Sequence, residues 1–383
     1  MAAKSSTADA SPNPFVEALA SEAREAGLHY SSDAKPGIAR RSRGPMVTYL
    51  TARGTRVRDA ATIARIKHLA IPPAWTDVWI NPRADGHIQA TGRDARGRKQ
   101  YRYHADWRKQ RDDNKFGRII DFARKLPRIR RRVARDLARR GMPREKVLAT
   151  VVRLLESTLI RVGNDEYAQQ NKSYGLTTMR NHHVRVNGAH VCFTFRGKSA
   201  KHHEIGVRDS KLASIVRRCQ ELPGQDLFGY EDDNGKACDV TSNDVNAYLR
   251  EISGSEFTAK DFRTWAGTVL AAIALREFQT VTKEANAKKN IVAAIESVAR
   301  MLGNTPTVCR KCYVHPGVLD SYLSGSTIAT IHQRTKNKID RSLSQLKPEE
   351  AAVLVLLQSG LRKKTTLAAP RKSSRKPLRS KSR

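Results

Sequence analysis

The pattern of apolar residues changes abruptly near residue 105, and this change limits the folds open to the chain. Over residues 30–103, short apolar or aromatic runs such as MVTYL, DVWIN and YRYH alternate with turns and glycines. Such punctuation is typical of short β-strands. One helix is expected in this part, near Ala60 to Leu69. Residues 105–140 are instead rich in Arg and Lys and have long helical stretches. A small β-rich part followed by a mainly helical part is therefore predicted.

One short stretch within the helical part has strand character. The run VRVNGAHVCFTF contains Asn187-Gly188, a strong signal for a two-residue β-hairpin turn. A second turn, RGKSAK, follows directly and leads into HEIGV. These segments predict a three-stranded sheet with Lys198 at the tip of its second turn.

Beyond Asp209 nearly all of the sequence is predicted to be helical. Residues 262–278 are apolar on most faces, which predicts a buried helix. Thr305 followed by Pro306 is a good pair for a helix N-cap and first turn. The helix that they begin is expected to run through Tyr313 and to break before Pro316, because proline disfavours helical geometry in the preceding residue.

These patterns predict an α+β fold with two domains and two terminal segments. A flexible N-terminus with a helix is assigned to residues 1–28, and a small β-rich domain to residues 29–112. A larger, mainly α-helical domain with the three-stranded sheet covers residues 113–345. Residues 346–383 are predicted to form a helix, ending near Leu357, and a disordered basic tail.

The charge balance identifies the kind of partner. The chain of 383 residues has 71 Lys and Arg against 37 Asp and Glu, a formal net charge of +34. Such an excess points to a polyanion, and nucleic acid is favoured because the charge runs through the folded region. A membrane partner is disfavoured, since the sequence has no long apolar span and no clearly amphipathic basic helix. The five cysteines are expected to be free thiols in a reducing compartment, which predicts a cytoplasmic protein on chromosomal DNA.

Four short clusters supply candidates for phosphate chemistry: LIRVGNDEYA, FRGKSAKHHE, TAKDFRTWAGT and LGNTPTVCRKCYVHP. The candidates that they contain are Arg161, Lys198, Arg263, and the pair Asn304 and Tyr313. A phenol can attack phosphorus, cations can stabilise the charge that develops, and an ammonium can protonate a leaving group. Together they form a metal-free set for phosphoryl transfer, with no cofactor.

At these residues the sequence resembles the type IB DNA topoisomerases, in particular their poxvirus-like and bacterial branch. The resemblance covers residues 30–324, and the signatures occur in the right order. It implies that Tyr313 is a nucleophile that forms a 3′-phosphotyrosyl link and leaves a free 5′ hydroxyl. Rejoining would then need no ATP, and the absence of a GxxxxGK[ST] loop is consistent with this. The resemblance also implies a monomer that clamps duplex DNA.

The same resemblance implies roles for the other four residues. Arg161 and Arg263 would hold the non-bridging phosphate oxygens, since a guanidinium binds two oxygens in a fixed fork. Lys198 would be the general acid for the leaving 5′ oxygen. Asn304 stands where some relatives have His. It would donate a hydrogen bond to a phosphate oxygen, cap the following helix, or do both.

A basic stretch with interleaved aromatic residues, GRDARGRKQYRYH, resembles the segment with which the family reads the major groove. Gln100 can pair with adenine, and Tyr101 and Tyr103 can contact base edges or phosphates. The basic residues before them are expected to contact phosphates without sequence choice; they are Arg93, Arg96, Arg98 and Lys99. The alternative is an edge strand with exposed side chains and no partner. In the lysine turn, His203 is a further candidate for a phosphate contact.

Other classes of protein remain open at this point. A tyrosine recombinase uses a related set but has His three residues before the second Arg, where this chain has Lys260. A non-enzymatic basic DNA-binding protein would account for the charge but not for the four clusters. The pair Cys309 and Cys312 lacks the further ligands of a structural zinc site, and no carboxylate cluster suited to magnesium is evident.

Overall fold

The computed structural model describes residues 14–43, 46–224, 226–232, 234–278, 284–325 and 345–368. The chain divides into two compact units, one up to Phe116 and one from Gly117 onward. The domain boundary predicted between residues 112 and 113 stays a prediction. None of the described helices is both long and apolar enough to cross a membrane.

The first unit is built around a five-stranded antiparallel sheet in the order β2-β1-β3-β4-β5. Apolar side chains of β1, β3 and β4 pack with Ile66 of helix α2 into a small core; they are Ile38, Val78, Ile80 and Ala90. The α+β fold class, with strands concentrated in this unit, is confirmed. The elements are α1 (Pro14–Glu25), β1 (Ile38–Arg43), β2 (Met46–Leu50), α2 (Ala60–His68), β3 (Thr76–Ile80), β4 (Ile88–Arg93) and β5 (Lys99–Tyr103).

Helix α3 (Ala105–Leu137) begins in the first unit and continues into the second, which is mainly helical. The second unit has one large apolar core. Its helices are α4 (Arg144–Thr158), α5 (Asp165–Asn171), α6 (Ser210–Glu221), α7 (Ser242–Ser253), α8 (Ala259–Glu277), α9 (Glu284–Met301), α10 (Pro306–Tyr313), α11 (Pro316–Leu323) and α12 (Pro348–Ala368).

The predicted three-stranded sheet is present and is formed by β6 (Val184–Asn187), β7 (His190–Arg196) and β8 (His202–Arg208). Asn187 pairs with His190, so the predicted hairpin is present, but its two turn residues are Gly188, with φ of +55°, and Ala189 instead of Asn187 and Gly188. Arg196 pairs with His202 across the second, so Lys198 lies in the turn between β7 and β8. Phe193 and Phe195 on β7 are buried, which attaches the sheet to the helical core.

Helix α8 is buried on most of its surface, as predicted, and it packs against α4, α9 and α10. It begins with a capping box, in which the Asp261 carboxylate accepts hydrogen bonds from the backbone N–H (2.7 Å) and the hydroxyl (3.1 Å) of Thr258. Arg118 of α3 donates a further hydrogen bond of 2.6 Å to the same carboxylate. The start of α8 is therefore held both by its own sequence and by the neighbouring helix.

Two features of the second unit differ from the sequence-based expectations. A hairpin formed by β9 (Gly229–Glu231) and β10 (Ala237–Asp239), with Gly235 at φ +76° in its turn, lies within the region predicted to be nearly all helical. Helix α12 continues to Ala368, beyond the end predicted at Leu357 and into the segment predicted to be disordered. The rest of the predicted tail, from residue 369, and the predicted flexible N-terminus up to residue 13 lie outside the described residues.

Candidate active site

A cleft of about 400 Å³ in the second unit brings four of the predicted catalytic residues together. Arg161 follows helix α4, Arg263 lies in α8, Tyr313 ends α10, and Lys198 comes from the turn between β7 and β8. These residues lie up to 152 positions apart along the chain. Their convergence is a property of the tertiary packing and could not arise from any local element.

Arg263 is buried, with 4% of its surface exposed, and it is anchored to backbone carbonyl groups. One terminal nitrogen donates to the carbonyl of Leu159 and the other to that of Leu302, at 2.7 Å. Burial, together with repulsion from the nearby Arg161, lowers the pKa of Arg263 to about 10. The group therefore stays charged at neutral pH. Its buried Nε has no hydrogen-bond partner among the described residues.

Arg161 and Asn304 form a second pair in the site. Arg161 Nη2 donates to Asn304 Oδ1 at 2.5 Å, and burial lowers the pKa of the Arg161 guanidinium from its ordinary value. The buried Asn304 Nδ2 has no partner among the described residues. Because the carboxamide oxygen is held by Arg161, the NH₂ group remains as a donor.

The alternative role of Asn304 as a helix cap is wrong. Helix α10 is capped by Thr305, whose hydroxyl accepts a hydrogen bond from the Val308 N–H at 3.4 Å, and Pro306 occupies the first turn. Asn304 lies one residue earlier, and its backbone N–H donates to the Ala299 carbonyl at 2.9 Å. Its side chain instead contacts Arg161, which lines the cleft.

Tyr313 is the last residue of α10, and His315 takes an extended conformation before Pro316, as predicted. The Tyr313 ring centroid lies 5.2 Å from the guanidinium carbon of Arg263. Its backbone carbonyl accepts a hydrogen bond from the Thr268 hydroxyl at 3.3 Å. The His315 side chain caps α11 by accepting from the Gly317 N–H at 2.9 Å, so it has a structural contact of its own.

Lys198 occupies an exposed position in its turn. The two residues after it, Ser199 and Ala200, both have left-handed backbone conformations, with φ of +65° and +61°. Residues with a β-carbon rarely adopt left-handed backbone conformations, so the backbone of this turn is strained. Lys198 therefore depends on this turn for its place in the cleft.

Four of the residues predicted to contact DNA lie in β5, on both of its faces, while Arg93 ends β4 and Arg98 immediately precedes β5. The side chains of Lys99, Tyr101 and Tyr103 share one face, where the two tyrosine rings stack with centroids 5.7 Å apart. Gln100 lies on the opposite face, as does Arg102. As the last strand of the sheet, β5 leaves one long side unpaired with any other strand.

Carboxylates bind and orient the basic residues in and around β5. Asp94 accepts from Arg98 Nε at 2.8 Å and from Gln100 Nε2 at 3.0 Å. The hydrogen bond from the Arg98 side chain, with those from the backbone N–H groups of Arg98 and Arg96, lowers the pKa of Asp94 to about 2. Lys99 pairs with Asp33 at 2.7 Å, and Arg93 lies 3.5 Å from Asp77. The exposed cations are thus held in place by local acids. A partner can still reach them, because the pairs are at the surface.

His203 was predicted as a phosphate contact, but its ring packs inside the protein. It stacks on Phe195, with ring centroids 5.2 Å apart, and lies against the backbone of Gly197 and Gly303. It is half-buried and is not among the described residues that line the cleft.

Sequence reasoning missed several residues that line the cleft. Lys260 lies one helical turn before Arg263, and Asn164, Tyr167 and Tyr174 form the wall near Arg161. The sequence offered one signal for Lys260. It lies three residues before Arg263, and residues three apart on a helix share a face, so both could have been expected in the same cleft. Among the described residues, no group of three or more His, Cys, Asp or Glu is placed to hold a metal ion.

Comparisons with known proteins agree with this architecture. Residues 104–342 match the family model described as the catalytic core of eukaryotic DNA topoisomerase I. Residues 47–94 match the model described as the N-terminal domain of bacterial DNA topoisomerase IB. The two matches follow the division between the β-rich and the helical parts. The chain belongs to the type IB DNA topoisomerase family.

The relatives include viral enzymes. The chain is 33% identical over 325 residues to DNA topoisomerase 1B of Acanthamoeba polyphaga mimivirus, covering 83% of this chain and 96% of the relative. It is 23% identical over 267 residues to DNA topoisomerase 1B of vaccinia virus (strain Copenhagen), covering 67% of this chain and 80% of the relative.

Proposed function

We propose that this protein relaxes supercoiled duplex DNA without ATP by cutting and resealing one strand. The observation that carries the proposal is the cleft that collects Tyr313, Lys198 and two guanidiniums from separate segments. Family membership supports it, and the net charge of +34 provides affinity for a polyanion.

The proposed reaction is a transesterification at one phosphodiester. The Tyr313 phenol loses its proton to solvent, and its oxygen forms a bond to phosphorus while the bond to the 5′ oxygen breaks. Lys198 gives a proton to that departing oxygen. Arg161, Arg263 and the free NH₂ of Asn304 donate hydrogen bonds to the non-bridging oxygens as negative charge builds on them.

The reverse reaction closes the strand. The 5′ hydroxyl attacks the phosphotyrosyl link, returns its proton to Lys198 and releases Tyr313. The link conserves the energy of the broken phosphodiester, so the reaction needs no ATP. Between the two steps the free end rotates, which removes supercoils of either sign.

Further parts of the proposal concern the whole molecule. We place the domain boundaries between residues 112 and 113 and between residues 345 and 346, with one chain acting as a monomeric clamp on duplex DNA. The exposed side chains of β5 would contact the major groove. The five free cysteines and the basic charge favour a cytoplasmic location on chromosomal DNA.

The test is relaxation of a supercoiled plasmid in EDTA without ATP. Wild-type protein is expected to relax the plasmid and to leave a covalent protein–DNA adduct when the reaction is stopped with detergent. Tyr313→Phe is expected to abolish both while retaining DNA binding. Tyr49→Phe, which removes the same hydroxyl from the other unit, is the matched control and is expected to be active. Relaxation by Tyr313→Phe would overturn the assignment, and strand exchange between two duplexes would indicate a recombinase instead.

A further inference from the structure

The imidazole of His203 lies between two glycines that belong to different parts of the second unit. A β-carbon on Gly197 would lie 2.6 Å from the His203 Cδ2, and one on Gly303 would lie 2.6 Å from the Cε1. Such distances do not occur for real β-carbons, so both backbone segments approach the ring more closely than any other residue type would allow. The ring is therefore enclosed between two chain segments.

Each of these glycines is the immediate neighbour of a residue in the proposed active site. Gly197 precedes Lys198 in the turn between β7 and β8, and Gly303 precedes Asn304 in the loop between α9 and α10. The imidazole thus forms the packed contact between the segment that carries the proton donor and the segment that leads to the nucleophile.

The surroundings of the ring favour packing over hydrogen bonding. His203 stacks on Phe195, with an angle of 24° between the rings, and neither ring nitrogen is hydrogen-bonded to a described residue. Burial lowers the pKa of His203 from its ordinary value, and so do the charges of Arg161, Arg263, Lys201 and His202. The imidazole is consequently neutral at pH 7, and it acts on its neighbours through its shape.

We propose that His203 is a positioning residue that sets the place of Lys198 relative to Asn304 and the α10 helix. The turn needs such support, since Ser199 and Ala200 hold left-handed conformations that the local sequence does not favour. Removing the ring would let the turn relax and carry Lys198 away from the leaving oxygen. This inference rests on the proposed function, because it assigns Lys198 the role of proton donor.

The chemistry of the leaving group offers a specific test. A thiolate is a much better leaving group than an alkoxide and needs no proton donor. A duplex in which sulfur replaces the bridging 5′ oxygen, at a site first mapped with wild-type protein, should therefore bypass a defect in Lys198. Lys198→Ala on this duplex provides the reference for such a defect.

The measurement is the single-turnover rate of covalent adduct formation with His203→Ala, His203→Phe and His202→Ala. A positioned proton donor contributes roughly 10²–10⁴-fold, so its partial displacement in His203→Ala is expected to slow cleavage of ordinary DNA by about tenfold or more. The sulfur-containing duplex should restore the His203→Ala rate to near that of the wild type. His203→Phe keeps a flat ring between the glycines and should cleave ordinary DNA at a rate close to the wild-type rate. His202→Ala, on the opposite face of the same strand, is the control and is expected to be unaffected.

Two results would overturn the inference. One is a His203→Ala defect that is equally large with oxygen and with sulfur. The other is a folded His203→Phe protein as slow as His203→Ala, which would show that the imidazole contacts the DNA. If His203→Ala does not fold, Gly197→Ala serves instead, since its added methyl group displaces the turn from the ring and should give the same sulfur-restored defect. A wild-type protein that forms no adduct would refute the proposed function itself and can be distinguished from either result.

Discussion

A substitution at Gly267 tests whether cleavage depends on the exact position of the Tyr313 backbone. This buried glycine lies in α8, directly against the end of α10. A β-carbon at Gly267 would lie 2.6 Å from the carbonyl oxygen of Tyr313 and 3.1 Å from its β-carbon. Because the nearest atom belongs to the backbone, no side-chain rotation can relieve the clash.

The size of the effect follows from these distances. An ordinary contact begins at 3.4 Å, so Gly267→Ala must push the Tyr313 carbonyl away by about 0.8 Å. Misplacing a reacting group by about 1 Å commonly slows a reaction by roughly 10²-fold. Overpacking also costs about 1–3 kcal/mol of stability, partly offset by up to ~1 kcal/mol because alanine favours the helix more than glycine does. The variant should therefore lose about 0–2 kcal/mol of stability, still fold, and cleave DNA about 10²-fold more slowly.

The assay combines single-turnover adduct formation with denaturant unfolding. Gly117→Ala is the matched control, since Gly117 also lies in a helix but a β-carbon there would have no atom within 4 Å. It should gain up to ~1 kcal/mol in stability and cleave at the wild-type rate. A wild-type cleavage rate in Gly267→Ala, or an equal loss in both variants, would refute the reasoning.

Two further predictions concern charge. Asp94 Oδ2 accepts from the side chains of Arg98 and Gln100, and Oδ1 accepts from the backbone N–H groups of Arg96 and Arg98. Asp94→Asn leaves one acceptor oxygen, so one of these two sets of hydrogen bonds is lost and the segment should lose its fixed orientation. Its cleavage sites on a mapped duplex library should become less selective, with adduct formation at the best site unchanged; an unaltered site pattern would contradict this. His183 is buried, and burial, followed by His182 and Arg180, lowers its pKa to about 4 from the ordinary value of 6.5. Since the unfolded chain binds the proton more tightly, stability should fall as the pH drops from about 6.5 toward 4, by at most ~1.4 kcal/mol per pH unit. His183→Gln should reduce that loss in urea unfolding at pH 7 and pH 5, and an identical pH dependence in both proteins would contradict the assignment.

Much of the secondary structure could be predicted because its signals are local. The turn after Asn187 needs only one residue that tolerates positive φ, which Gly188 provides, and Thr305-Pro306 begins a helix through its own hydrogen bond and ring geometry. The hairpin β9–β10 was missed since its strands have three residues each, too few for an alternating pattern. The extent of α12 was also missed, as a basic composition alone does not end a helix.

In the candidate active site too, the sequence identified some features and only the structure decided others. Motifs identified Arg161, Lys198, Arg263 and Tyr313, and the structure places all four in one cleft. Whether Asn304 caps a helix or faces the cleft could not be decided by spacing, because both roles suit a residue beside Thr305. The hydrogen bond from Arg161 decides it. The packing of His203 between Gly197 and Gly303 could not be predicted either, since a residue in an alternating strand gives no sign of which loop will pack against it.

By itself, the sequence determined the kind of partner, the order of the elements and the residues able to carry the chemistry. Charge, turn signals and motifs act over a few residues and do not depend on the rest of the fold. Only the tertiary structure decided the distances on which catalysis depends. The carbonyl groups of Leu159 and Leu302 fix Arg263, and two glycines allow close approach to His203. The contacts of Arg263 with Leu159 and of His203 with Gly303 join segments about a hundred residues apart, and they exist only once the helical core has packed.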